Sequence, residues 1–318
     1  MVDRINVSAG TAGVLGLLTL TQETPPTTAY LMLGGRCSMN CGFCAQARQS
    51  QAPALNLSRV TWPAFSLPLV VERLAAAFAA GSLRRACLQM TVTRRAGAQA
   101  LEVVRAVRAA CAIPFDVAIL PESLDEVREL LEAGVEHIGF GLDAASRRVF
   151  EATKSGNWER SLALIRQTAE TFAGRAAVHL IVGLGETEQE MAAMIDQMHG
   201  WGVTVGLFAF TPVRGTALEG RPAPALGQYR RMQAVRFLIS RGYARLSDLR
   251  FDAGGRLARI DVPGWPALLA GGQAFETSGC PDCNRPYYNE RPGGTMYNYP
   301  RRLLAEEAGR ALAEMEME

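Results

Sequence analysis

From residue 28 onward the chain alternates short apolar runs with longer segments of helical period. The apolar runs cover residues 29–33, 86–90, 115–119, 137–142, 176–182 and 203–210. They are nearly continuous rather than alternating, the pattern of parallel strands covered on both faces. The helical segments cover 72–80, 98–110, 124–133, 158–172, 188–198 and 228–240. Turns such as Glu132-Ala133-Gly134 precede strands. Six β-α units in series predict an α/β fold, a parallel (βα) barrel or partial barrel.

This core spans residues 28–245, close to the roughly 250 residues of a single barrel. Residues 1–27 form an N-terminal extension and 246–318 a C-terminal one. In the first, residues 12–20 are apolar and predict a buried helix, too short to span a bilayer. No small-residue cleavage site follows, so a cytoplasmic protein is expected. In the second, Asp252-Ala253-Gly254-Gly255-Arg256 predicts a hairpin turn. A stretch rich in Pro, Gly, Asn and Tyr follows over 279–299, then a helix over 301–317.

Hydrophobic residues make up 48% of the 318, enough for a sizeable core. The net charge of +2 is interspersed, with no basic block of the kind that binds nucleic acid. Only three histidines are present, which weighs against a His-rich zinc or non-haem iron site. Of seven cysteines, three fall within eight residues. In a reducing compartment such clusters are more often metal ligands than disulfides.

Those three are Cys37, Cys41 and Cys44, spaced C-x3-C-x2-C directly after the first predicted strand of the barrel, with Phe43 before the last. Three thiolates on one short loop suit three irons of a cubane, whose usual complement is four cysteines. The fourth iron is then open, as in a catalytic rather than a structural metal site. A zinc knuckle would need a fourth ligand, and no nearby His or Cys offers one.

This loop in this position resembles that of the radical S-adenosylmethionine (SAM) superfamily. The resemblance implies a [4Fe–4S] cluster on Cys37, Cys41 and Cys44 whose open iron binds the amino and carboxylate groups of SAM. Cleavage of SAM would yield a 5′-deoxyadenosyl radical that removes hydrogen from an unactivated carbon. Other segments carry the same likeness. The segment Ile181-Val182-Gly183-Leu184-Gly185-Glu186 resembles an adenine-contacting motif, with His179 where a glycine is usual. Asp143, ending the fourth strand, matches a ribose-contacting carboxylate; a helix N-cap before Ala144 is the competing reading. Gln89-Met90-Thr91 occupies the stretch that meets the SAM amino group. Arg214, in Thr211-Pro212-Val213-Arg214-Gly215-Thr216, would pair with a carboxylate or stand as a solvated surface arginine.

Four cysteines remain. Cys111 is expected to be a small buried residue. Cys280-Pro281-Asp282-Cys283 could grip a zinc ion or one side of a cluster, or be an accidental pair. Cys87 matches the first auxiliary-cluster cysteine of biotin synthase. The other two cysteines of that centre fall at Val117 and Ala177, so its [2Fe–2S] site cannot be built here. With the tail folded over the barrel, Cys280 and Cys283 would join Cys87 around a second Fe–S cluster.

The stretches 26–31, 208–216 and 278–292 resemble the two-component lipoyl synthases, within the biotin- and lipoyl-synthase-related group. That likeness implies sulfur insertion into an octanoyl chain on a lipoyl-carrier protein. It also implies a paralogous radical SAM subunit and a ferredoxin- or flavodoxin-type electron donor as partners. The alternatives are another biotin-synthase-like radical SAM enzyme without sulfur insertion, a non-catalytic Fe–S protein and a zinc-binding module.

Overall fold

The computed structural model describes residues 1–290 and 293–317. Arg291 and Pro292, the last two residues of the 278–292 stretch, lie outside the described residues, as does Glu318. The order is β1 (Arg4–Val7), α1 (Ala9–Val14), β2 (Thr28–Leu33), β3 (Asn56–Leu57), β4 (Val60–Thr61), β5 (Ala64–Ser66) and α2 (Leu67–Ala79). Then come β6 (Arg85–Met90), α3 (Ala96–Ala110), β7 (Phe115–Ala118), α4 (Leu124–Glu132), β8 (His137–Asp143), α5 (Arg147–Thr153) and α6 (Trp158–Thr171). The chain continues through β9 (Ala176–Val182), α7 (Glu188–Gly200), β10 (Thr204–Ala209) and α8 (Leu226–Ser240). It ends with the hairpin β11 (Leu249–Phe251) and β12 (Leu257–Ile260), α9 (Trp265–Leu269) and α10 (Ala305–Ala313).

The main sheet runs β10-β9-β8-β7-β6-β2-β1-β5. The six strands from β10 to β2 are parallel, and each coincides with a predicted apolar run. β1 and β5 extend the sheet antiparallel beyond β2. Among the described residues β10 pairs with no further strand, so the barrel is partial.

Within each strand, alternation separates two environments. On β2, Ala29, Leu31 and Leu33 join the large core under the helices, whereas Tyr30 and Met32 pack inward with Trp62, Cys87, Cys283 and Tyr288. On β6, Ala86 and Leu88 face the helices, while Cys87 and Gln89 line interior cavities. A period of two thus sorts core from site.

The first and last helices are shorter than expected. The first ends at Val14, not near Leu20, because Gly16 takes a left-handed conformation at φ +67°. The Leu17 N–H then bonds the Ala12 carbonyl at 2.8 Å, a Schellman-type stop. Leu18 and Leu20 are exposed rather than buried. The last helix starts at Ala305, not Arg301, because Glu307 accepts the Leu304 N–H and pairs with Arg301, both at 2.8 Å.

The tail is held by two adjacent buried arginines of α8. Arg231 makes a two-pronged pair with Glu188 at 2.6 and 2.9 Å and donates to the Met315 carbonyl. Arg230 donates to Glu314 and to the carbonyls of Met296 and Tyr297. From this anchorage residues 277–290 run along the open edge of the partial barrel. Ser278 Oγ accepts the Leu207 N–H, Asn289 donates to the Ala209 carbonyl, and Asn284 bonds Thr27 and Pro25.

Candidate active site

The cysteine loop follows the C-terminal end of β2 and is tied down on every side. The entry turn needs Gly34: at φ +110° a Cβ there would fall 1.9 Å from Thr91 Oγ1. The Arg36 guanidinium donates to the carbonyls of Ala45 and Ala52, both at 2.6 Å. The Cys37 N–H reaches the Gln46 carbonyl at 2.9 Å, and the Ser38 N–H the Val92 carbonyl at 2.9 Å. The Asn40 N–H donates to Ser155 Oγ at 2.7 Å.

Cys37, Cys41 and Cys44 line one cavity of about 170 Å³ together with Phe43, Gln89, Met90, Thr91, Asp143, Lys154 and His179. Two backbone N–H groups, of Val92 and Met39, point at Cys37 Sγ from 3.3 and 3.4 Å. Such donors stabilise a thiolate and tune a cluster. Burial pushes the Cys41 and Cys44 thiols up, Cys44 to about 12, so metal must displace a proton from each. Among the described residues these three sulfurs do not all lie within 4.8 Å of one another, the spacing one ion needs. The donor set therefore fits a cluster better than a single zinc.

Asp143 ends β8 at φ +64° and forms an ion pair with Lys154. Helix α5 begins only at Arg147, so Asp143 caps nothing. Lys154, which sequence reasoning missed, is largely buried and also donates to the Gly141 carbonyl. Burial pulls its pKa down, but Asp143 and the neighbouring Cys41 push it up further, and the balance is upward. Eleven residues separate the pair, a distance at which no periodic pattern links them.

A second cavity, of about 210 Å³, adjoins the first through Phe43, Cys44, Gln89, Asp143 and His179. Ile181 and residues 208–211 form its far wall. Gly183 and Glu186 sit just behind: Glu186 Oε1 accepts the Gly183 N–H at 2.6 Å and closes the turn. Arg214 is exposed and lines none of these cavities, so the structure places it as a surface arginine. Cys111 is half-buried at the end of α3 rather than fully buried.

Deeper in the barrel, Cys87, Cys280 and Cys283 line a third cavity, of about 50 Å³. The tail brings the last two beside β2 and β6. Tyr30 Oη lies 3.5 Å from Cys283 Sγ and accepts the Arg285 N–H at 2.8 Å. Gln89 Nε2 donates to Cys87 Sγ at 3.0 Å. Burial pushes the Cys87 and Cys280 thiols well up. Val117 faces the outer core, whereas Ala177 borders the cavity. Arg285, half-buried with its guanidinium over the Phe208 ring at 3.8 Å, closes one side.

A family model agrees with this three-thiol loop at the mouth of a six-strand parallel sheet. The radical SAM superfamily model matches residues 31–198. The chain belongs to the radical SAM superfamily.

Membership implies a [4Fe–4S] cluster and SAM, and the loop cavity has the donors for both. The curated relatives to which the chain is similar include lipoyl synthases and biotin synthases. A lipoyl synthase from Chlorobaculum tepidum is 26% identical over 245 residues, 72% of this chain and 73% of that protein. A biotin synthase from Hydrogenobaculum sp. is 25% identical over 244 residues, 75% of this chain and 72% of that protein. The fold is shared with the FeFe-hydrogenase maturase of Carboxydothermus hydrogenoformans, at a TM-score of 0.55 and 18% identity over 68% of this chain. The match spans 52% of that longer protein. Methylornithine synthase gives 0.54 and 12%, covering 73% of this chain and 77% of the other. No helix among the described residues is long and apolar enough to cross a membrane.

Proposed function

We propose that this radical SAM enzyme inserts sulfur into unactivated C–H bonds of a protein-bound octanoyl chain, with a second Fe–S cluster as sulfur source. The observation that carries this reading is the tail: it brings Cys280 and Cys283 to Cys87 inside the barrel, in a cavity that borders the SAM side through Gln89 and His179.

When bound, the first cluster and SAM supply a 5′-deoxyadenosyl radical, and the second cluster supplies sulfide. In this reading Cys37, Cys41 and Cys44 hold the first cluster. The Asp143 carboxylate suits the ribose hydroxyls, and its ion pair with Lys154 holds it in place. Ile181 and the 208–211 backbone flank the adenine. Gln89, Met90 and Thr91 meet the amino-acid end. Phe208, Tyr288 and Trp62 wall the space toward the second site and exclude water that would quench a radical. A groove of about 880 Å³ meets the first cavity at Met39, Val92, Leu120 and Lys154 and offers a way in.

The partners in this reading are an octanoylated carrier protein, a paralogous radical SAM subunit and a ferredoxin- or flavodoxin-type donor. The test is anaerobic incubation with SAM, reductant and an octanoyl peptide, with and without the paralogue, read by mass spectrometry. Gain of sulfur by the peptide is expected. Formation of 5′-deoxyadenosine with no sulfur gain under either condition would overturn the substrate and leave the superfamily chemistry.

A further inference from the structure

We propose that Asp116 is the fourth protein ligand of the second metal centre, an oxygen donor alongside Cys87, Cys280 and Cys283. The inference rests on the reading of that cavity as a cluster site. Register places Asp116 of β7 directly beside Cys87 of β6, on parallel strands about 5 Å apart. Both side chains line the third cavity, into which the tail brings Cys280 and Cys283. Among the described residues Asp116 is the one carboxylate in that lining.

Its two oxygens are in different situations. Oδ1 receives Arg85 Nη1 and His137 Nδ1, each at 2.9 Å. Oδ2 is fully buried and has no hydrogen-bond partner in the protein. The carboxylate is only 2% exposed; Arg85 and His137 meet one oxygen, and the other is left free for a further donor or cation. Cys280 Sγ lies within 4.8 Å of the carboxylate. The nearby alternatives are poorer donors. His137 shares the 4.8 Å neighbourhood of Asp116 and Cys280, but its Nδ1 is bonded to Asp116 and it does not line the cavity. The Tyr30 hydroxyl already accepts the Arg285 N–H.

A carboxylate oxygen is a harder ligand than thiolate and holds iron less firmly in a sulfur-rich centre. One iron of the second cluster would therefore differ from the rest. The test uses the full chain carrying Cys37→Ala, Cys41→Ala and Cys44→Ala, so that only the second centre remains. It is reconstituted anaerobically with isotopically enriched iron and examined by Mössbauer spectroscopy. One iron in about four is expected at a higher isomer shift than the others. Asp116→Cys in the same background should keep the iron and remove the difference, and Asp116→Ala should lose about one iron in four. Should Asp116→Ala fail to fold, the Cys variant still decides. Spectra unmoved by Asp116→Cys would overturn the ligand alone. A triple variant with a normal circular dichroism spectrum and no iron would overturn the cluster reading itself.

Discussion

The 37–44 loop takes its three thiols from eight consecutive residues, whereas the second site draws Cys87 from a strand and Cys280 and Cys283 from the far end of the chain. The loop is fixed by hydrogen bonds to its immediate surroundings, Arg36 to Ala45 and Ala52, Cys37 to Gln46, Ser38 to Val92. The second site depends on anchors outside itself: Arg230 and Arg231 hold the tail, and Asn284 and Asn289 lay it along the barrel's open edge. A local site needs little chain ordering to form, while a distant one must first close a long loop. The two should therefore fail under different perturbations.

The largest expected contrast lies in paired cysteine variants. Cys41→Ala should reduce 5′-deoxyadenosine formation to background, because the SAM cluster loses a ligand. Cys283→Ala should retain that formation and abolish sulfur in the product. Chromatography for the nucleoside and mass spectrometry for the product would check both, and equal loss of both activities in Cys283→Ala would erase the distinction.

Next is Arg231→Met, which removes the cation from the buried Glu188 carboxylate and leaves it the Leu257 N–H. Breaking a buried pair from one side costs about 3–5 kcal/mol. Denaturant unfolding should show that loss, and iron should leave the second site at lower denaturant than the first. Simultaneous release from both would mean that the tail and the barrel form one cooperative unit.

His179 separates the two sites, and burial, aided by Arg285, pushes its pKa down from 6.5 to about 4. The unfolded chain then binds the proton more readily than the folded one. Stability from this group is full above pH 6.5 and is lost as pH falls toward 4, by at most about 3 kcal/mol. His179→Gln should flatten that part of the pH–stability curve of the apoprotein. An unchanged slope would show that the ring is not held neutral.

The smallest effect concerns Lys154, which sits on the SAM side only. Lys154→Met should weaken SAM binding about tenfold, or about 1.4 kcal/mol, by freeing Asp143. Lys154→Arg should recover part of it, and equilibrium dialysis would measure both. Affinity unchanged in Lys154→Met would remove Asp143 and its partner from the SAM pocket.

The same contrast explains what the sequence disclosed. The six parallel strands were legible because each is buried on both faces and stands out as an apolar run. The cysteine loop was legible because its spacing is local. Lys154 was not, because its partner lies eleven residues away across a turn. Asp116 left one overlooked signal: a charged residue inside the apolar run Phe115-Asp116-Val117-Ala118, two residues from a proline-bearing turn. A lone carboxylate in a doubly covered strand needs a buried partner, here Arg85 at 2.9 Å. The path of the tail depends on contacts between distant segments, for which no periodicity exists. The first helix stops short of its apolar stretch because Gly16 adopts the left-handed conformation that ends it.

The most direct test of two separate centres is an iron and sulfide count on anaerobically reconstituted protein in three forms. These are the parent, the Cys37→Ala/Cys41→Ala/Cys44→Ala variant and the Cys280→Ala/Cys283→Ala variant. Two independent cubanes predict about eight irons in the parent and about four in each variant. A parent with about four irons, all lost with the loop cysteines and none with the tail pair, would contradict the account.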